Sequence, residues 1–85
     1  MNHYTSSDFW QLYEKLPLEV RELADKNYQL LKENPRHPSL QLKRIEELWS
    51  VRIGLHYRAL GIDAADGGIQ WIWIGSHAEY NQIIG

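Results

Sequence analysis

The apolar positions change period near the middle of the chain. Behind Ser6, Ser7 and Asp8, whose side chains can accept hydrogen bonds from the free amides of a helix start, Phe9, Leu12, Tyr13 and Leu16 recur at helical spacing. This predicts a short first helix. Pro17 interrupts it and suits the first turn of a second helix, whose positive amino-terminal end Glu19 and Glu22 also favour. Val20, Leu23, Ala24, Tyr28, Leu30 and Leu31 form an apolar stripe mostly opposite Arg21, Glu22, Asp25, Lys26 and Glu33, which predicts a helix over about 18–33. "NPRHPS" ends it, because prolines at 35 and 38 leave no room for another turn.

Beyond that exit the period becomes two. "LQLKRI", "LWSVRI" and "HYRALGI" alternate as half-buried strands, "GL" reads as a tight hairpin, "DAADGG" as a second turn, and "IQWIWI" as a nearly all-apolar last strand. "HAEYNQII" is left for a helical turn at the end. Helices followed by strands imply an α+β layer fold, with two N-terminal helices packed on one face of a three- to four-stranded twisted antiparallel sheet. The opposite face is expected to be open to solvent and to offer a binding surface.

Composition narrows the class. A length of 85 residues predicts a single domain, 1–85, because two separate cores would each fall below the size at which burial offsets chain entropy. With 44% hydrophobic and 24% charged residues, the chain is a folded globule and not a disordered tail. There is no cysteine, which excludes disulfides and thiolate metal sites. "MNHYTSSD" lacks a basic region followed by an apolar run, and no stretch has the length to cross a bilayer, so a cytoplasmic protein without a membrane role is expected.

The net charge of -2 argues against a general nucleic-acid coat. The charges are uneven, however. Between Asn34 and Arg58, five bases (Arg36, Lys43, Arg44, Arg52, Arg58) face two acids (Glu46, Glu47), with His37 and His56 among them. From this cationic middle come the candidate phosphate-binding residues Lys43, Arg44, Arg52 and His56.

The hairpin register decides how two of the arginines meet. A two-residue Gly54-Leu55 turn, which glycine at its first position favours, sets Ile53 against His56 and sends Arg52 and Arg58 to opposite sides of the sheet. A three-residue loop through His56 sets Arg52 directly across from Arg58. Like charges so placed repel unless an anion lies between them, so the second register points to a phosphate-binding function. The first leaves each arginine at the rim beside Glu46, Glu47 or a helix carboxylate.

His77 is the candidate proton carrier, because imidazole titrates near neutrality. Ser76 can cap a short helix behind the last strand, placing His77 in its first turn and Tyr80 on the same face. A general acid beside phosphate-binding arginines suffices for RNA cleavage by the neighbouring 2′-hydroxyl, with no metal or other cofactor required. His3, His37 and His56 lack metal-ligand spacing. Tyr80 also reads as a core lid, and Trp71 and Trp73 read either as base-stacking surfaces or as core.

The "LP" break before a long helix, the "NPRHPSL" exit, the "RIG" and "YR" hairpin, and a last strand running into "IGSHAEY" together resemble the small toxins of the RelE/ParE superfamily of bacterial type II toxin–antitoxin modules. The match runs over nearly the whole chain. The resemblance implies a helical pair on a curved antiparallel sheet, a cognate antitoxin that wraps the toxin, and mRNA cleavage linked in many members to the ribosome. It also implies roles: Arg58, at the "YR" step, contacts the scissile region, and His77, after the "GS" pair as in a YafQ-like branch, donates a proton. Tyr80 falls near a carboxy-terminal catalytic or packing aromatic, and Lys43 falls where some members carry catalytic lysines. The expected activity is thus a metal-independent mRNA endoribonuclease that inhibits translation. The slightly acidic charge and the end at "NQIIG" depart from the strongly basic ribosome-acting relatives. Two alternatives stay open: a ParE-like, non-enzymatic inhibitor of DNA gyrase, and an antitoxin-binding module without activity.

Overall fold

The computed structural model describes residues 2–85. In chain order the elements are β1 (His3–Thr5), α1 (Ser7–Glu14), α2 (Leu18–Glu33), β2 (Lys43–Ile45), β3 (Leu48–Ile53), β4 (Tyr57–Asp63), β5 (Ile69–Ser76) and α3 (His77–Ile84). The expected helix starts are present. The Ser6 hydroxyl accepts the Phe9 N–H at 3.1 Å to cap α1, and Pro17 occupies the position just before α2.

One sheet runs in the order β1-β5-β4-β3-β2. β2 to β5 form the expected antiparallel meander, and α1 and α2 cover one of its faces, which bears out the α+β arrangement. Two elements go beyond it. β1 is a fifth strand, parallel to β5 along His3↔Ile69, Tyr4↔Gln70 and Thr5↔Trp71, so the sheet is mixed. The Trp71 indole N–H donates to His3 Nδ1 at 3.2 Å and helps hold that strand. The face opposite α1 and α2, expected to be open, is partly covered by α3, which runs for two turns.

β2 is shorter than its alternating sequence predicts. Gln41 takes φ 44°, in the left-handed region, and breaks the strand before Lys43. Leu40 nevertheless stays fully buried, and its carbonyl accepts the Arg52 N–H at 2.7 Å.

The core lies between the sheet and the first two helices. Val51, Ile53, Ala59, Ile69, Trp71 and Ile74 meet Ala24 and Leu31 of α2, with Phe9 and Tyr13 of α1 packed against them. A bulge at Leu60/Gly61 pairs Gly61 with Trp71 but Leu60 with Trp73. The extra residue on β5 brings Trp71 and Ile74 onto the same face although they are three apart in sequence. On the other face, cross-strand pairing lines up Lys43, Ser50, Leu60 and Trp73 in one row and Arg52, Arg58 and Gly75 in the next. Among the described residues no helix is long and apolar enough to cross a membrane.

Candidate functional site

The site is set by the β3–β4 hairpin, which takes the three-residue loop through Gly54, Leu55 and His56. Ile53 pairs with Tyr57 and Arg52 with Arg58. The local preference of glycine for the two-residue turn is therefore overridden. Gly54 adopts φ 63°, and a Cβ there would come within 2.8 Å of Leu23 Cδ2 on α2, so the tip of the hairpin is seated on the helix. Tertiary packing at this contact selects the register that local turn chemistry leaves open.

The two guanidinium-bearing side chains are half-buried and point to the same face. Arg52 Nε donates to the Gly54 carbonyl at 3.0 Å. Arg58 Nη1 donates to the Tyr57 carbonyl at 2.7 Å and reaches the Gly54 carbonyl at 3.4 Å. Neither forms an ion pair among the described residues, where the pair Arg44–Asp63 is the only one. Glu46 and Glu47 do not neutralise them. Burial, and then the facing Arg52 charge, push the Arg58 pKa below its ordinary value, while Tyr80 opposes the shift. Two cations held together by carbonyl oxygens alone form a site suited to an anion.

α3 brings the imidazole. Ser76 caps the helix reciprocally with Glu79: its hydroxyl accepts the Glu79 N–H at 3.2 Å, and Glu79 Oε1 accepts the Ser76 N–H at 3.1 Å. The His77 N–H donates to the His56 carbonyl at 2.7 Å and ties the start of α3 to the hairpin loop. The His77 ring is exposed and lies 5.9 Å from the Tyr80 ring in a stacked arrangement, with the Asn81 amide 3.4 Å from its Nδ1. Arg58 Cζ lies 6.0 Å from that same Tyr80 ring.

Tyr80 itself is only 4% exposed, and its hydroxyl shares a 2.9 Å hydrogen bond with the buried Ser50 Oγ. The His77 imidazole and the Arg58 guanidinium thus both neighbour the Tyr80 ring. Its phenol is occupied beneath the surface, which fits the packing role better than direct contact with a substrate.

The remaining candidates divide. Lys43 is exposed on the same face, in the row of Ser50. His56 is exposed in the hairpin loop and contributes its carbonyl to the anchoring of α3. Arg44 does not join them, because its pairing with Trp49 places it on the opposite face. There it grips both Asp63 oxygens at 2.6 Å and lies 4.9 Å from the Trp49 ring centre. Arg44, then Trp49, hold the Asp63 pKa down to about 2.

One residue of the site, Ser50, was not singled out from sequence. Ser50 is the partner that locks Tyr80 down, and a lone serine inside the apolar "LWSVRI" run was the available signal. Trp73 lies across Gly75, where an added Cβ would come within 2.5 Å of Trp73 Cζ2, so the position next to Arg58 on β5 must stay bare. Trp71, by contrast, is buried on the helix side.

This architecture has solved counterparts. A chain of the RelB-RelE antitoxin-toxin complex of Methanococcus jannaschii superposes with a TM-score of 0.72 at 13% identity, covering 96% of this chain and 99% of that one. A mutant of the E. coli toxin RelE in the free state gives 0.67 at 18% identity, covering 96% and 90%. The YoeB/ParE toxin of Agrobacterium tumefaciens gives 0.66 at 16% identity, covering 91% and 99%. No curated protein matches the chain. At these identities the superpositions speak for the fold. The sequence pattern of the ParE-like toxin domain, however, matches residues 18–82, so the chain belongs to the ParE-like toxin domain family and is a toxin of the RelE/ParE superfamily.

Proposed function

We propose that this protein is the toxin of a toxin–antitoxin module and cleaves mRNA without a metal, using the face that carries Arg52, Arg58 and His77. The observation that carries this reading is the like-charged cross-strand pair Arg52↔Arg58, which has no carboxylate partner among the described residues. A sheet that tolerates such a pair gains from an anion seated between the two cations. A phosphodiester has the charge and the several acceptor oxygens to serve both.

In the mechanism, Arg58 and Arg52 hold the non-bridging phosphate oxygens and stabilise the charge that builds there as the 2′-hydroxyl attacks in line. The 2′-oxygen forms a bond to phosphorus and loses its proton to solvent, the bond to the 5′-oxygen breaks, and protonated His77 gives that oxygen its proton. A cyclic phosphate and a free 5′-hydroxyl remain. Tyr80 positions rather than reacts, since its ring lies next to both His77 and Arg58 while its hydroxyl is held by Ser50. Lys43 adds a distal cation on the same face for the neighbouring backbone.

A cognate antitoxin is the proposed partner. The Methanococcus jannaschii and Mycobacterium tuberculosis matches are toxin–antitoxin complexes, and the fold they share with this chain is what supports the assignment. Message and ribosomes as targets would place the action in the cytoplasm. RNA sequencing after brief induction tests the reading: new message ends are expected with the wild type and absent with His77→Ala. Growth arrest with intact message and broken chromosomal DNA would replace it with gyrase poisoning.

A further inference from the structure

On the opposite side of the sheet a hollow of about 120 Å³ lies between α1, α2 and the core strands. Its origin is small side chains where two layers meet. Ala24 of α2 and Ala59 of β4 both line it, and neither fills the space between helix and sheet. The walls are otherwise mixed ring and branched aliphatic surface, with Phe9, Tyr13, Tyr28 and Trp71 beside Leu31 and Ile74. In volume it approaches the roughly 150 Å³ apolar cavities that stay dry and accept benzene.

The mouth is polar and already partly organised. Tyr13 Oη donates to Asp25 Oδ1 at 2.7 Å, which ties α1 to α2, and Trp10 Nε1 donates to the Thr5 hydroxyl at 2.8 Å. Asp25 Oδ2 has no protein partner among the described residues and remains available as an acceptor. Asp25 is the one charged side chain lining the hollow and forms no ion pair among the described residues, so the mouth accepts a hydrogen-bond donor and disfavours an anion.

We propose that this hollow is a second ligand site, separate from the RNA-facing surface, that binds a single aromatic ring carrying one N–H or O–H donor. The ring packs against these walls and the donor reaches Asp25. An aryl amine or a phenol has this chemistry, whereas a ring without a donor leaves the acceptor unused and an aromatic carboxylate sets charge against charge.

NMR titration of the full chain with aniline, toluene and benzoate tests the site. Saturable shifts are expected at the amides of Ala24, Val51 and Ala59, with aniline bound about tenfold more tightly than toluene and benzoate not bound. Ala24→Leu and Ala59→Val fill the hollow from its two sides. Either is expected to abolish binding with the circular dichroism spectrum unchanged, and if one fails to fold the other carries the test. An absence of saturable shifts in the wild type overturns the proposal, as do shifts that survive in a folded filled variant. Equal affinity for aniline and toluene overturns the donor assignment, and RNA cleavage is unaffected by either result.

Discussion

Arg44 and Arg58 belong to neighbouring hairpins of one sheet, yet their surroundings differ in kind. Arg44, at the β2 edge, meets a carboxylate with both arms of its guanidinium and stacks on Trp49. Arg58, two strands inward, faces another arginine and is satisfied by backbone carbonyls. The first arrangement completes itself within the protein. The second lowers its own energy only when something anionic arrives, and it is the second that lies near an exposed imidazole. A cation that the fold neutralises contributes to the edge of the sheet, while one left unneutralised is a candidate for work on a ligand.

Variants on the two sides should separate stability from activity. The largest effect is expected at His77, where alanine removes the proton donor and slows cleavage about 10²–10⁴-fold. The ring is exposed, so the denaturation midpoint should not move. Arg58→Ala is expected to slow single-turnover cleavage about 10²–10³-fold, with stability within about 0.5 kcal/mol of the wild type. Arg44→Ala should show the reverse, with cleavage retained and a lower denaturation midpoint. Equal losses of activity in the two arginine variants would erase the distinction.

Tyr80→Phe sharpens the comparison from the site side. It leaves the ring beside His77 and Arg58 but strands the buried Ser50 hydroxyl, at a cost of about 1–2 kcal/mol. Urea denaturation should show that loss while most of the cleavage rate remains. A collapse of activity at unchanged stability would instead make the phenol a reacting group.

The smallest effect belongs to the edge. Asp63 falls from an ordinary value of 3.8 to about 2 in the folded chain because Arg44 and Trp49 donate to its carboxylate. A depressed folded-state pKa stabilises fully above the unfolded value and is lost as protons bind, so this contribution should disappear between about pH 4 and pH 2. Asp63→Asn should make that limb of the stability profile shallower, leaving the share of Asp66, which Tyr4 and Asn2 also hold down to about 2. The Arg52/Arg58 side has no ion-paired carboxylate among the described residues and should add nothing to it.

The helices were legible because their signals are local. A serine cap, a proline break and a proline-rich exit each act within a turn or two, and α1 and α2 begin and end beside them. β1 was not legible, since "HYT" is too short for a period and its pairing with β5 spans most of the chain. The arginine register was posed correctly as two alternatives but could not be decided locally, because the deciding contact is between Gly54 and Leu23 on another element. Arg44 looked equivalent to its cationic neighbours in one dimension. Only the alternation of β2 against β3 sends it to the far face, and only the return of β4 brings Asp63 to meet it.

The most direct test is the salt dependence of binding to a single-stranded RNA whose 2′-hydroxyls are replaced by hydrogen, so that it binds without being cut. For single strands the slope of log K against log salt is about 0.7 per neutralised phosphate. Because Arg52 and Arg58 share one phosphate, the Arg52→Ala, Arg58→Ala double variant is expected to lose about 0.7 from the magnitude of that slope, while Arg44→Ala keeps the wild-type slope. Identical slopes in all three proteins would contradict the assignment of Arg52 and Arg58 as the phosphate-holding pair.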